Sequence, residues 1–142
     1  MATKRTANAH WEGSLLEGAG TVSHDSSGLG SYDVTWAART EEPGGKTSPE
    51  ELIAAAHSAC FNMALSHGLA GDGTPPQALD TRAEVSFQAG EGITGIALTV
   101  RGRVEGIDNA AFVKAAEAAR VGCPVSQALT GVTITVDAAL AD

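Results

Sequence analysis

Residues 48–65, SPEELIAAAHSACFNMAL, constrain this chain more than any other segment. Ser48 offers an N-cap hydroxyl, and Pro49 suits the first helical position, where a missing N–H costs nothing. Glu51 stands where a capping box places its carboxylate, within reach of the Ser48 amide. From Leu52 to Leu65 the predicted helix is apolar on nearly every side, interrupted mainly by His57, Ser58 and Asn62. A helix apolar all round is a buried helix, and it needs cover on every side. A chain of 142 residues fits one domain over 1–142 with a core of its own. It is small for enclosing such a helix alone, so a partner subunit is expected.

The rest of the chain reads as short strands and two further helices. AHWEG, GAGTVSH and SYDVTWAAR, separated by glycine-bearing breaks, predict three strands joined by tight turns, with Arg39 ending the third strand before the loop EEPGGK. TRAEVSF and IALTVRGRV alternate apolar and polar residues. Ala83, Val85 and Phe87 share one face, as do Ile96, Leu98 and Val100, so these segments predict antiparallel strands with one face on the core. A helix follows over about Asn109 to Val121, with Phe112, Val113 and Ala116 on its stripe and Gly122 as its stop. Pro124 opens a short helix to about Leu129, and VTITVDA forms a last strand. The fold class is α+β in one domain, with antiparallel sheets packed on a long buried helix.

Charge narrows the function. A formal net charge of -8 and a pI near 4.8 argue against nucleic acid, which needs clustered Lys and Arg, and leave no polybasic anchor for an anionic membrane. The amino terminus has no apolar run after its basic residues, and no stretch approaches a transmembrane length, so a cytoplasmic location is expected. In a reducing compartment two cysteines point to catalysis or redox sensing rather than to a structural bridge. Cys60 and Cys123 show no CxxC spacing, and His10, His24, His57 and His67 show no paired-ligand spacing, so no metal is expected.

The two thiols sit in unlike settings. Cys60 lies past the turn where a helix dipole stabilises a thiolate, and burial raises its pKa, so a reactive Cys60 needs a cation brought to it. Without one it is a small core residue. Cys123 precedes Pro124 at the N-cap of a short helix, where free backbone amides favour negative charge; local sequence alone makes it the stronger nucleophile. Glu50 is not needed for the capping box. It is either a favourable charge in the first turn or the carboxylate that grips a guanidinium through two parallel bonds. Arg39 is the candidate cation, with a solvated strand-end charge as the plainer role. Ten residues of helix separate Glu50 from Cys60 by about 15 Å. If both belong to one site, two subunits must each lend Glu50 to the other's Cys60. His57, one turn before Cys60, raises a Cys-His hydrolase, although no Asn or Asp stands out to orient it.

HWEG (10–13), GAGTVS (18–23), TSPEELIAAAHSACFNMALS (47–66) and GCPVSQAL (122–129) together resemble the OsmC/Ohr family of peroxiredoxin-like hydroperoxide reductases, in the same order and over nearly the whole length. The resemblance implies an α+β fold of its own kind and an intertwined homodimer with sites at the subunit interface. It further implies a cytoplasmic thiol peroxidase for organic hydroperoxides that uses no metal, haem or flavin. By motif position Cys60 is then the peroxidatic cysteine and Cys123 the resolving one, with Arg39 activating Cys60 and Glu50 orienting Arg39. The expected cycle runs through a Cys60 sulfenic acid and a Cys60 to Cys123 disulfide, reset by a dithiol reductant such as a lipoylated protein. Outside that class stands a non-catalytic redox sensor or small-ligand binding protein using the same disulfide.

Overall fold

A computed structural model describes residues 1–142. The chain divides into two compact units, Met1–Leu52 and Ile53–Asp142.

The first unit carries a three-stranded antiparallel sheet of β1 (Asn8–Glu12), β2 (Ala19–Ser23) and β3 (Ser31–Val34), in that spatial order. Trp11 pairs with Gly20 across β1 and β2 and lies over it; a Cβ at Gly20 would stand 2.8 Å from Trp11 Cε3. Glycine therefore lets the indole fill the space a side chain would take. The expected third strand is shorter than SYDVTWAAR. It ends at Val34, and Thr35 caps a helix α1 (Trp36–Thr40), its hydroxyl accepting from the Ala38 amide at 3.1 Å. Thr35 is a good cap and Ala37, Ala38 and Arg39 are good helix formers, so local preference turns the chain once its strand partner runs out. Arg39 is thus on a helix, not at a strand end. The unit buries little of itself. All five residues of β1 are exposed, as are Leu15, Leu16 and Leu29.

Helix α2 spans Pro49–Gly71, with its first turn in the first unit and the remainder in the second. Its N-terminus forms as the sequence predicts, the Ser48 hydroxyl accepting from the Glu51 amide at 3.1 Å. The reciprocal half of the box does not. Glu51 instead takes the Thr47 hydroxyl through its carboxylate, a charge-assisted bond with a close neighbour.

In the second unit, β4 (Ala78–Gln88) and β5 (Gly92–Arg103) form an antiparallel hairpin with a register shift at Ser86/Phe87. Helices α3 (Asn109–Gly122) and α4 (Pro124–Ala128) then carry the chain back to β6 (Thr133–Leu140), which pairs with β5. That pair is parallel, so β5 is central and the sheet is mixed rather than wholly antiparallel. The reason is connective: a helical crossover returns a strand in its original direction, where a tight turn reverses it. Asp108 caps α3 through the Ala111 amide. Gly122 is the last residue of α3 rather than its left-handed stop; Cys123, at φ -59, ends α3 and caps α4 at once.

Ile96, Leu98 and Val100 of β5 pack with Phe112 and Ala116 of α3 and with Phe61, Leu65 and Leu69 of α2 into one core. Beyond the buried Glu50 of its first turn, α2 buries only His57, Phe61, Leu65 and Leu69, a single stripe at four-residue spacing. Ala55, Ala56, Ala59 and Met63 remain exposed, Met63 at 72%. One chain alone therefore covers one face of a helix whose sequence calls for cover on the others. No helix is long and apolar enough to cross a membrane.

Candidate active site

Two clusters of functional side chains form, one in each unit. In the first, α1 presents Arg39 and the first turn of α2 presents Glu50. Arg39 Nε donates to Glu50 Oε1 at 2.9 Å and Nη2 donates to Oε2 at 2.8 Å. This is the planar two-armed grip that a guanidinium makes on a carboxylate and an ammonium cannot. Glu50 is buried, and the Arg39 guanidinium lies 5.8 Å from the centre of the Trp36 ring. The sequence left Glu50 between a first-turn charge and a guanidinium holder; the geometry makes it the holder.

In the second unit, α2 supplies Cys60 and His57, and the α3–α4 junction supplies Cys123 and Ser126. Both cysteines are free thiols, Cys60 half-buried and Cys123 wholly buried. Segments remote in sequence bring them near enough that each thiol shifts the other. Burial pushes the Cys60 thiol up, and its hydrogen bond to Cys123 pushes it further, against a smaller opposing effect of the Val125 amide. Burial alone would also raise Cys123. The polar influence of the nearby Cys60 thiol, the Ser126 amide and hydroxyl and the Val125 amide outweighs it and leaves Cys123 below the ordinary thiol range. The local expectation that Cys123 is the more acidic thiol thus holds, though neighbouring donors contribute where the sequence pointed only to a helix end. No cation is among the groups that shift Cys60.

Cys60 opens on a groove of about 580 Å³ whose walls include Met63, Ala64, His67, Ala115 and Pro124. The walls are mostly apolar, with His67 and Asp72 as the polar exceptions. An alkyl chain fits such a surface better than a charged ligand. No group of three His, Cys, Asp or Glu side chains converges as a metal ion requires.

His57 does not engage Cys60. Its Nε2 lies 2.7 Å from Ser126 Oγ, both residues are buried, and burial lowers the imidazole pKa. A general base for a Cys-His hydrolase would need that nitrogen on the attacking sulfur. Ser126 is the residue the sequence reasoning did not single out. Its position three residues after an N-cap in GCPVSQ was the available signal, since that amide and side chain sit over the cap.

Residues 42–137 match the family described as OsmC-like protein. The chain is 45% identical to the Peroxiredoxin OsmC of Escherichia coli K12 and to that of Shigella flexneri, over 96% of this chain and 96% of each relative. Among solved structures, the organic hydroperoxide resistance protein OhrB of Bacillus subtilis superposes with a TM-score of 0.65 at 25% identity, covering 96% of this chain and 98% of that one. An OsmC-like protein of Mycoplasma pneumoniae shares the fold with a TM-score of 0.72 at 17% identity, over 100% of both chains. The family match over residues 42–137, which takes in both the capped apolar helix and the GCPVSQ turn, together with 45% identity over almost the full length, places the chain in the OsmC-like protein family.

Proposed function

We propose that this chain is a cysteine-based peroxidase that reduces organic hydroperoxides through a Cys60 sulfenic acid and a Cys60 to Cys123 disulfide. The observation that carries the reading is the pair of free thiols, Cys60 on α2 and Cys123 at the α3–α4 junction, each shifting the other, beside an apolar groove. The relatives named peroxiredoxin, at 45% identity over nearly the whole length, support it.

The Cys60 thiolate attacks one peroxide oxygen. An S–O bond forms, the O–O bond breaks, and the alkoxide leaves with a proton as an alcohol. Cys123 then attacks the sulfenic sulfur, forming the S–S bond and releasing water. A dithiol, a lipoylated protein being our choice, returns both sulfurs to thiols by exchange.

Cys60 stands above its ordinary pKa in the single chain, so the first step requires a cation. We assign that role to Arg39, held by Glu50 and supplied by a second copy of the chain. The spacing of Glu50 and Cys60 on one helix argues against their meeting within a chain, and the grip between Arg39 and Glu50 supports a guanidinium fixed in one orientation. The exposed apolar positions of α2 and the bare face of the first unit support a homodimer in which one domain of each copy, residues 1–142, completes the other. We place the protein in the cytoplasm, where dithiol reductants keep such a pair working.

Consumption of cumene hydroperoxide with dithiothreitol or reduced lipoamide tests the function. Turnover is expected to vanish in Cys60→Ser, and mass spectrometry after one turnover is expected to find Cys60 joined to Cys123. Absence of turnover with every dithiol, while the disulfide still forms, would replace the enzyme with a redox sensor.

A further inference from the structure

The resolution step asks for an activated Cys123, and the reaction as written does not say what activates a wholly buried thiol. Three residues after Cys123, Ser126 of α4 joins His57 of α2 in a buried polar pair the peroxidase cycle does not use. His57 is fully buried and Ser126 is 3% exposed, and their Nε2 and Oγ atoms lie 2.7 Å apart. His57 Nδ1 is also buried and has no hydrogen-bond partner.

That orphan nitrogen sets the direction of the chain. A proton on Nδ1 would be a buried donor with no acceptor, a costly arrangement. It would also leave Nε2 as an acceptor, drawing the Ser126 hydroxyl hydrogen toward the ring. With the proton on Nε2, Nδ1 keeps only a lone pair, and Ser126 Oγ accepts from the imidazole. Its own hydrogen is then free to turn toward Cys123, the N-cap residue three positions earlier in the same turn, whose thiolate form the nearby Ser126 hydroxyl favours. From these contacts we infer that His57 and Ser126 are positioning residues for disulfide formation, the neutral His57 Nε2–H donating to Ser126 Oγ and the Ser126 hydroxyl donating to the Cys123 thiolate. The inference rests on the peroxidase reading for its purpose, but its geometry belongs to the resting protein.

The step balances without a further reactant. Cys123 gives up its proton, its sulfur attacks the Cys60 sulfenic sulfur, the S–O bond breaks, and the departing hydroxide takes up a proton to become water. His57 stays neutral throughout, consistent with the burial that disfavours its charged form. Apart from Cys60 on α2, no titratable group acts on Cys123. No carboxylate, ammonium or guanidinium shifts either thiol or His57.

Three measurements test the inference. In a Cys60→Ser background, thiolate absorbance at 240 nm against pH follows Cys123 alone. Ser126→Ala and His57→Leu are expected to leave about tenfold less thiolate at a given pH below the midpoint, the effect of losing one bond to a charged sulfur. Ser126→Thr and His57→Gln, which keep a hydroxyl and an N–H, are expected to restore it. In the chain with both cysteines, one equivalent of cumene hydroperoxide followed by trapping with a 1,3-dicarbonyl is expected to show sulfenic acid persisting about tenfold longer in Ser126→Ala. Should substitution prevent folding, nitrogen-15 shifts of the wild-type imidazole report the tautomer directly. An Nδ1–H tautomer, or a Cys123 titration unmoved by Ser126→Ala, overturns the inference. Failure of the peroxidase reading would show instead as no sulfenic acid in wild type, with the titration result intact.

Discussion

Replacing Glu50 by Gln tests the assignment of the activating cation most directly. The carboxylate holds Arg39 with arms of 2.9 and 2.8 Å, and the Glu50 side chain is 9% exposed against 27% for Arg39. Gln preserves the shape but turns one accepting oxygen into an NH2 group that must face a guanidinium N–H, so one arm is lost together with the charge. A hydrogen bond to a charged partner contributes about 1.5–3 kcal/mol. Loss of one arm therefore lowers the population of correctly placed guanidinium by about 10- to 100-fold. If Arg39 stabilises the Cys60 thiolate, kcat/KM for cumene hydroperoxide, measured by stopped flow with excess dithiol, is expected to fall by that same factor. Arg39→Lys retains charge but not the fork and is expected to lose a similar factor. Because the residues act as one unit, the double variant is expected to lie within about threefold of the weaker single variant. A Glu50→Gln enzyme within twofold of wild type, or two losses that multiply in the double variant, would refute the assignment.

Other outcomes follow from the packing and from titration. Gly102→Ala would place its Cβ 2.6 Å from Phe112 Cζ and 3.0 Å from Leu79 Cδ2. Phe112 is fully buried, so urea denaturation is expected to show a loss of about 1–3 kcal/mol, recovered in part by Phe112→Leu; an unchanged midpoint would contradict the packing. His57 is neutral and buried with its pKa lowered by desolvation, so the unfolded chain binds the extra proton first. Its contribution to stability is complete at and above the unfolded value of about 6.5 and is lost as pH falls below that, down to the folded-state pKa. Stability measured from pH 7.5 to 5 is expected to decline more steeply in wild type than in His57→Gln, and equal slopes would count against a buried neutral imidazole. Light scattering on the reduced protein is expected to give twice the 14.3 kDa chain mass, and Met63→Glu, placing a charge on an exposed apolar helix position, is expected to shift the balance toward single chains.

What could be read from residues alone was whatever depends on neighbours along the chain. The start of α2 is one such case, because Ser48 bonds an amide three residues away. The alternating faces of β4 and β5 are another, since period two follows from the pleat itself. The acidic setting of Cys123 was also legible in direction, from a cap before Pro124. Local logic failed where a competing local preference won, as when Thr35 capped α1 and took Arg39 out of the strand.

Contacts between distant segments were decided only by the folded chain. No pattern in the residues says that β6 joins β5 in parallel, because strand direction depends on the crossover that α3 and α4 make. The motifs implied that Glu50 orients Arg39 and that Cys60 partners Cys123, but the two-armed grip itself is seen only in the folded chain, and no pattern says that His57 spends its Nε2 on Ser126, 69 residues away. Side-chain chemistry supplied the possible donors, acceptors and nucleophiles. Tertiary packing chose among them, because a hydrogen bond or a pKa shift of useful size exists only within a few ångströms, and sequence separation sets no limit on that distance.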